Sequence, residues 1–575
     1  MFTSSTKNGS ENSNKEMGNP KQDGIHPFVI FCSVVASTGT FNAGVNTSAL
    51  NIPAYFIRNC PGVEPSDITY FSGTGLPQCI PMSDIVWGFA TGMLAFGGLL
   101  GAILASPMAE KMGRRDAMCF INITFLIGAI LISAATTSTM FIIGRVFVGI
   151  GSGSMSVLVS MYIAEIAPPK QRGMLVGLLQ LFATCGILAI ELCGLGLQSA
   201  VGWRISSAIT IIPALLQIIL LPFCVRSPRW LINHNRTDEA YKALSQLRMG
   251  DIDAEFNDMT HCSSNNTVIQ HSPPSLISST DNEDTLITDQ CVKHQKRSYN
   301  TIHNDMVKTL SEASSSSPIK KEGIKALSLT QLIRIPIFAK LTLKMMVLHA
   351  GFQLCGILAI MYYSTSIFET TFDGSVAAYV TVGVASVFVV STMIGLTMVD
   401  RLGRKVLILF SSIAMGISSI LMTVALVFDI PVFQVICIML FVATFAVGLG
   451  ICPFLFSSES FPTYAVGAAC SASLMTNWLC NFMIGLLFPT MMRGLGDYVF
   501  IPFAGYCYRI KISLHVIHAC KKAIVAPTGA TNANSVAIIT YIQVIVALEV
   551  AKHAQMIAIM DSIQATLALR IAIFT

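Results

Sequence analysis

Four amides interrupt long apolar runs: Gln180, Gln353, Asn477 and Asn481. Each carries both donors and an acceptor, and an amide in hydrocarbon is costly unless paired. Two chemistries fit. Such residues either bind neighbouring helices together, or face a wet path where they exchange hydrogen bonds with the hydroxyls of an uncharged solute. Asn477 and Asn481 stand four apart, so a helix presents them on one face. A second set is charged. Arg114, Arg115, Arg145, Glu165, Arg172, Arg401, Arg404 and Glu459 lie near the ends of apolar runs, where ion pairs can latch two bodies together. Membrane anchoring by basic residues would account for the arginines but not for Glu165 and Glu459. Glu191 is an ionisable group inside an apolar run, which makes it a functional suspect.

Other chemistry finds no support. The 16 cysteines are mostly single residues in apolar runs, as at Cys185, Cys193 and Cys224, where they act as small hydrophobes. No CxxC or Cys/His cluster has metal spacing, and no GxxxxGK[ST] phosphate loop occurs. An enzyme, a cofactor and a nucleic-acid partner are not expected. Cys60 and Cys79 share one polar loop and would pair only if that loop is extracellular.

The elements that position these residues are membrane helices. Of 575 residues, 53% are hydrophobic and 12% charged, against about 25% charged in soluble domains, and mean hydropathy is +0.65. With so few charges the solvent is lipid. Apolar spans of crossing length are expected at Phe28–Leu50, Ile85–Pro107, Ala117–Ala135, Phe141–Ile163, Met174–Leu197 and Ile205–Val225. Five more follow at Phe338–Phe368, Ser375–Met398, Val406–Phe428, Val432–Phe456 and Gly467–Met491. A twelfth begins at Tyr498–Cys507 but meets Arg509 and Lys511, with Ser535–Val550 as the other candidate. Basic residues concentrate in the loops after spans two, four and eight, which sets the amino terminus in the cytoplasm. Residues 1–26 form a polar tail without a signal-peptide core.

An internal repeat organises the chain. Gly113-Arg114-Arg115 after span two matches Gly403-Arg404-Lys405 after span eight, and Glu165 after span four matches Glu459 after span ten. Two halves of one orientation, 27–225 and 337–508, are therefore expected to enclose a site between them. A polar, cytoplasmic central segment, 226–336, joins them. From about Asp251 to Lys321 it has the composition of disorder, and cytoplasmic regulatory partners would act through it. Residues 509–575 form an atypical tail.

Laid on this map, the motifs resemble the major-facilitator sugar porters, and among them the animal facilitative glucose transporters, from about Phe28 to Ala504. The matching strings include Asn46-Thr47, Asn51-Ile52-Pro53, Glu110-Lys111-Met112-Gly113-Arg114-Arg115, Gly144-Arg145, and Tyr162-Ile163-Ala164-Glu165. Further strings are Ser227-Pro228-Arg229-Trp230, Gln353-Leu354, Tyr362-Tyr363, Asp400-Arg401-Leu402-Gly403-Arg404-Lys405 and Asn477-Trp478-Leu479-Cys480-Asn481-Phe482. The resemblance implies an all-α polytopic membrane fold of two six-helix halves and a hexose substrate moving passively in a lipid bilayer. It places Gln180, Ile187, Gln353, Asn477, Asn481, Trp478 and Phe454 at sugar-contact positions and makes Tyr362 and Tyr363 an outer gate. The arginines and glutamates named above become the inner gate. Asn46 stands where proton-coupled porters tend to carry Asp, which favours uniport over proton symport of a sugar or polyol. Departures from the family pattern are Phe352, Leu358, Phe388, Ala446 and Val466. They replace polar or gating residues, so altered substrate preference or a non-transporting sensor are the rival expectations.

Overall fold

The computed structural model describes residues 26–60, 68–73, 75–168, 171–268, 329–369, 371–461 and 463–508. Among these, eleven helices are long and apolar enough to cross a membrane. They are α1 (Pro27–Ser48), α2 (Asp84–Met112), α3 (Arg114–Ser133), α4 (Ser138–Ile166), α5 (Arg172–Gly196) and α6 (Gly202–Phe223). The second half holds α7 (Phe338–Phe368), α8 (Gly374–Val399), α9 (Arg404–Val427), α10 (Pro431–Ser457) and α11 (Ala465–Tyr498). Each expected span falls on one of them. The chain is a multi-pass membrane protein.

The repeat is visible in the backbone. Gly113 (φ +87°) and Gly403 (φ +81°) each turn the chain between consecutive helices, α2 into α3 and α8 into α9. That left-handed conformation costs a residue with a Cβ about 1–2 kcal/mol, which explains glycine at both repeats. Within the first half, α2 and α4 meet backbone to backbone. A Cβ on Gly149 would lie 2.2 Å from the Leu94 carbonyl oxygen, and one on Gly153 2.0 Å from that of Gly98. Small residues permit such approach where lipid supplies no hydrophobic drive.

The halves touch along two helix pairs. In one, Gly88 and Gly92 of α2 lie against Leu486 and Phe482 of α11, and Ser471 Oγ donates to the Ala102 carbonyl at 2.6 Å. In the other, Gly177 of α5 faces Leu396 of α8. Two second-half helices are broken. The α7 helix is interrupted at Gly356 (φ +99°), and α10 between Val447 and Cys452. Non-helical backbone at membrane depth is tolerated where protein buries it or where it lines a cavity.

At one end of the bundle Cys60 and Cys79 are joined as a disulfide, with Cα atoms 5.1 Å apart. We call this the disulfide side, and the opposite end the Gly113 side. On the Gly113 side the central segment is more ordered than its composition suggests. Asp253–Val268 is helical, not irregular. Tyr241 and Phe256 pack edge to face, and Arg248 pairs with Glu255 at 2.9 Å; these contacts fold a polar sequence that would not order by itself. Residues 269–328 lie outside the described part. Beyond α11, residues 501–508 begin another helix, whose Phe503 packs on Phe488 and Phe500. The expected candidate Ser535–Val550, with Arg509 and Lys511, lies outside the described residues.

Candidate functional site

The second half brings its amides together. Gln353 Nε2 donates to Asn477 Oδ1 at 2.8 Å, and Tyr362 OH donates to Asn481 Oδ1 at 2.9 Å. Tyr363 OH donates to the Gly485 carbonyl at 2.8 Å. These bonds join α7 to α11 on either side of the Gly356 break, with all five side chains buried. The Gln353 Oε1 atom has no protein partner among the described residues. Such an orphaned acceptor in a native structure calls for a ligand or a water to satisfy it. His349, one turn before Gln353, bonds Ser457 Oγ at 2.9 Å through Nε2, and its carbonyl accepts from Asn477 Nδ2 at 3.4 Å.

Aromatic rings wall this polar line. Phe454 lies edge to face with both His349 and Phe352, at ring separations of 5.5 and 5.7 Å. The departures Phe352 and Phe388 converge on one ring, Phe445, at 5.0 and 5.9 Å. Leu358 and Ala446 are buried, and Val466 joins an apolar cluster with Phe338 and Phe461. Trp478 is buried against Gly98 of α2.

The first half contributes one stripe of α5. Gly177, Gln180, Thr184, Ile187 and Glu191 recur at helical spacing and are all buried. The stripe touches the second half at both ends, through Gly177 with Leu396 and Ile451, and through Glu191, whose partner Asn51 bonds Ser364. Gln180 and Ile187 lie between. Among the described residues Gln180 forms no hydrogen bond to the second-half amides, so the structure places these four amides on facing halves without closing them into one network.

On the disulfide side α1 is tied to α7. Ser48 Oγ donates to the Met361 carbonyl at 3.2 Å, and Asn51 bonds both the Ser364 hydroxyl at 2.8 Å and the Thr365 amide at 3.2 Å. Tyr362 and Tyr363 are buried just beneath. Arg145 belongs to this region, which corrects its expected grouping with Arg114 and Glu165. It lies 20 residues from Glu165 on α4, about 30 Å along the helix, and its Nη1 donates to the Asn46 carbonyl at 2.9 Å. The Gly144-Arg145 string was grouped by charge, whereas α4 runs from the disulfide side to the Gly113 side and separates its two ends.

On the Gly113 side, Arg114 carries the centre. It bonds Glu165 at 2.9 Å, Glu110 at 3.1 Å and the Ala109 carbonyl at 3.2 Å. Arg115 turns instead to Asp116 at 2.8 Å and to the Cys224 carbonyl at 3.0 Å. Arg226 pairs with Asp116 at 3.0 Å. Trp230 donates to the Glu110 carbonyl at 2.9 Å. Arg172 and Arg404 are half-buried and Arg401 exposed. The side chain of Glu459 lies outside the described residues.

A family model described as sugar (and other) transporter matches residues 29–288 and 272–518. The chain belongs to this family. It is 31% identical over 508 residues to solute carrier family 2, facilitated glucose transporter member 4 of Mus musculus, covering 85% of this chain and 87% of the relative. Against member 5 of Homo sapiens it is 30% identical over 496 residues, covering 84% and 87%. The fold is similar to the partially occluded inward open xylose transporter XylE from E. coli, with TM-score 0.60, 19% identity, and 85% and 97% of the two chains covered. This sugar-porter family member is a transporter and not an enzyme.

Sequence reasoning overlooked several residues of the transporter's interior. His349 and Ser457 are absent from the expected site, although a histidine one turn from Gln353 in an apolar span is a usable signal. Ser48, Ser364 and Thr365 gave none, because small hydroxyl residues are common in membrane helices. Asn51 lies within the Asn51-Ile52-Pro53 motif, whose sequence does not reveal its place at the α1–α7 junction.

Proposed function

We propose that this transporter moves a glucose-like hexose across the membrane by facilitative uniport with alternating access. The observation that supports it best is the α7–α11 amide line, Gln353 to Asn477 with Asn481 beside it, ending in an unpaired Gln353 oxygen. A sugar hydroxyl both donates and accepts, so it can take the place of water on such groups at little net cost. Gln180 and Ile187 supply the opposite face, and Phe454 and Trp478 the apolar walls against the ring carbons. Tyr362 and Tyr363, with Arg145 behind them, close the disulfide side, which we assign to the outside of the plasma membrane. Arg114, Arg115, Glu165, Arg172, Arg401, Arg404 and Glu459 gate the cytoplasmic side, where the amino terminus and central segment lie. The names of the mouse and human relatives favour glucose-like cargo and passive movement, and Asn46 cannot titrate.

Uptake of labelled hexoses into proteoliposomes tests this. Saturable uptake of at least one hexose, not driven above equilibrium by an imposed proton gradient, is expected; no saturable uptake of any member of the panel overturns it. Two further readings have their own motives. Glu191 favours a proton-linked sugar or polyol porter, which the absence of uphill accumulation under a proton gradient discards. The apolar substitutions Phe352, Leu358 and Phe388 favour a non-transporting sensor, which saturable uptake refutes.

A further inference from the structure

Glu191 is 2% exposed, five residues before the end of α5. Its Oε1 accepts from Asn51 Nδ2 at 3.2 Å, while Oε2 has no hydrogen-bond partner among the described residues. Asn51 is also the knot of the α1–α7 junction, bonded to Ser364 and to the Thr365 amide. Ser48, whose hydroxyl holds the Met361 carbonyl, adjoins the same carboxyl. Through these two neighbours Glu191 reaches both sets of hydrogen bonds that fasten α1 to α7.

Among the described residues no cation faces it. Arg145 of α4 is engaged with the Asn46 carbonyl, and Arg204 of α6 with the Ser133 and Pro77 carbonyls. Arg58 is paired with Asp84. From α7 the titratable groups are Tyr362 and Tyr363, bonded to Asn481 and Gly485, and Glu369 at the helix end. A carboxylate buried without a countercharge costs several kcal/mol, whereas a neutral carboxyl carries no such charge penalty.

We propose that Glu191 is a proton-binding site that latches the disulfide-side gate, with the protonated carboxyl holding α1 against α7 and the ionised one releasing it. The step is proton transfer alone: hydronium on the disulfide side gives up a proton to Oε2, its O–H bond breaks to leave water, a new O–H bond forms on Oε2, and the negative charge is neutralised. Oε2–H then donates to Ser48 Oγ, whose own hydroxyl continues to donate to the Met361 carbonyl. A continuous line of hydrogen bonds runs from α5 through α1 to α7. When the proton leaves, the carboxylate draws the single Ser48 hydroxyl hydrogen toward itself, and the Met361 carbonyl loses its donor. The device is independent of which solute the transporter carries.

Hydrogen–deuterium exchange of the full chain in lipid nanodiscs, with no sugar present, tests it separately from the sugar assignment. Amides in Ser48–Pro53 and Ile357–Phe368 are followed at about pH 6 and about pH 8, corrected for intrinsic exchange rates. In the wild type, exchange at the lower pH is expected to be slower by about threefold or more. Glu191→Gln, which mimics the neutral carboxyl, should show the low-pH protection at both values, and Ser48→Ala should lose the difference. Equal protection of the wild type at both pH values overturns the proposal, and this result does not depend on the variants folding. A wild-type difference retained in Glu191→Gln, or protection that follows sodium rather than pH, overturns it equally.

Discussion

The side chains of the candidate site form a short, asymmetric set: amides on α7 and α11, rings around them, and Gln180 on α5 of the other half. Gln353 donates to Asn477 and keeps an acceptor unpaired. Gln353→Leu is therefore expected to weaken D-glucose binding by about tenfold, close to one hydrogen bond at about 1.4 kcal/mol. Calorimetric titration of purified protein checks this, and unchanged affinity would place the sugar elsewhere. Phe352, edge to face with Phe445 and Phe454, is one of the departures from the pattern that the family resemblance implies. Phe352→Gln, combined with Leu358→Asn, is expected to raise D-glucose affinity by about tenfold; no gain in the same titration would contradict this placement of the sugar site. At this scale the sequence was legible where an amide broke an apolar run, as at Gln353 and Asn477. It was not legible for Arg145, because charge alone does not say which end of a helix a residue occupies.

Between residues and the whole lie the turns that fix each helix. Gly113, Gly356 and Gly403 all have positive φ but differ in surroundings. A Cβ would lie 2.7 Å from the Phe503 ring at Gly356 and 3.3 Å from the Trp230 ring at Gly113, and would meet nothing within 4 Å at Gly403. Alanine at each costs the left-handed strain of about 1–2 kcal/mol, and Gly356→Ala adds a clash. Melting temperatures should fall most for Gly356→Ala and least for Gly403→Ala. Equal losses would show that strain alone matters. The spans themselves were readable, since an apolar run of about 20 residues has few other fates. The breaks in α7 and α10 were not, because glycine is common in membrane helices and only packing decides which one unwinds. The helix Asp253–Val268 is not legible for the related reason that composition does not reveal contacts such as Arg248 with Glu255 and Tyr241 with Phe256.

Across the whole molecule, two halves of like topology meet along α2–α11 and α5–α8 and are fastened on the disulfide side by Asn51 and Ser48. The repeat of Gly113 and Gly403 made this architecture visible in the sequence before any contact was known. Sidedness carries its own prediction. In right-side-out vesicles a membrane-impermeant reductant should open Cys60–Cys79 and expose both thiols to maleimide labelling, and the bridge should resist it in inside-out vesicles. Labelling confined to inside-out vesicles would invert the orientation and with it the two gates. The central claim is that one site between the halves opens to each side in turn, and counterflow reads this directly. Proteoliposomes preloaded with unlabelled hexose and diluted into trace labelled hexose should accumulate label transiently above equilibrium; a slow monotonic approach to equilibrium, no faster than in empty liposomes, would contradict it.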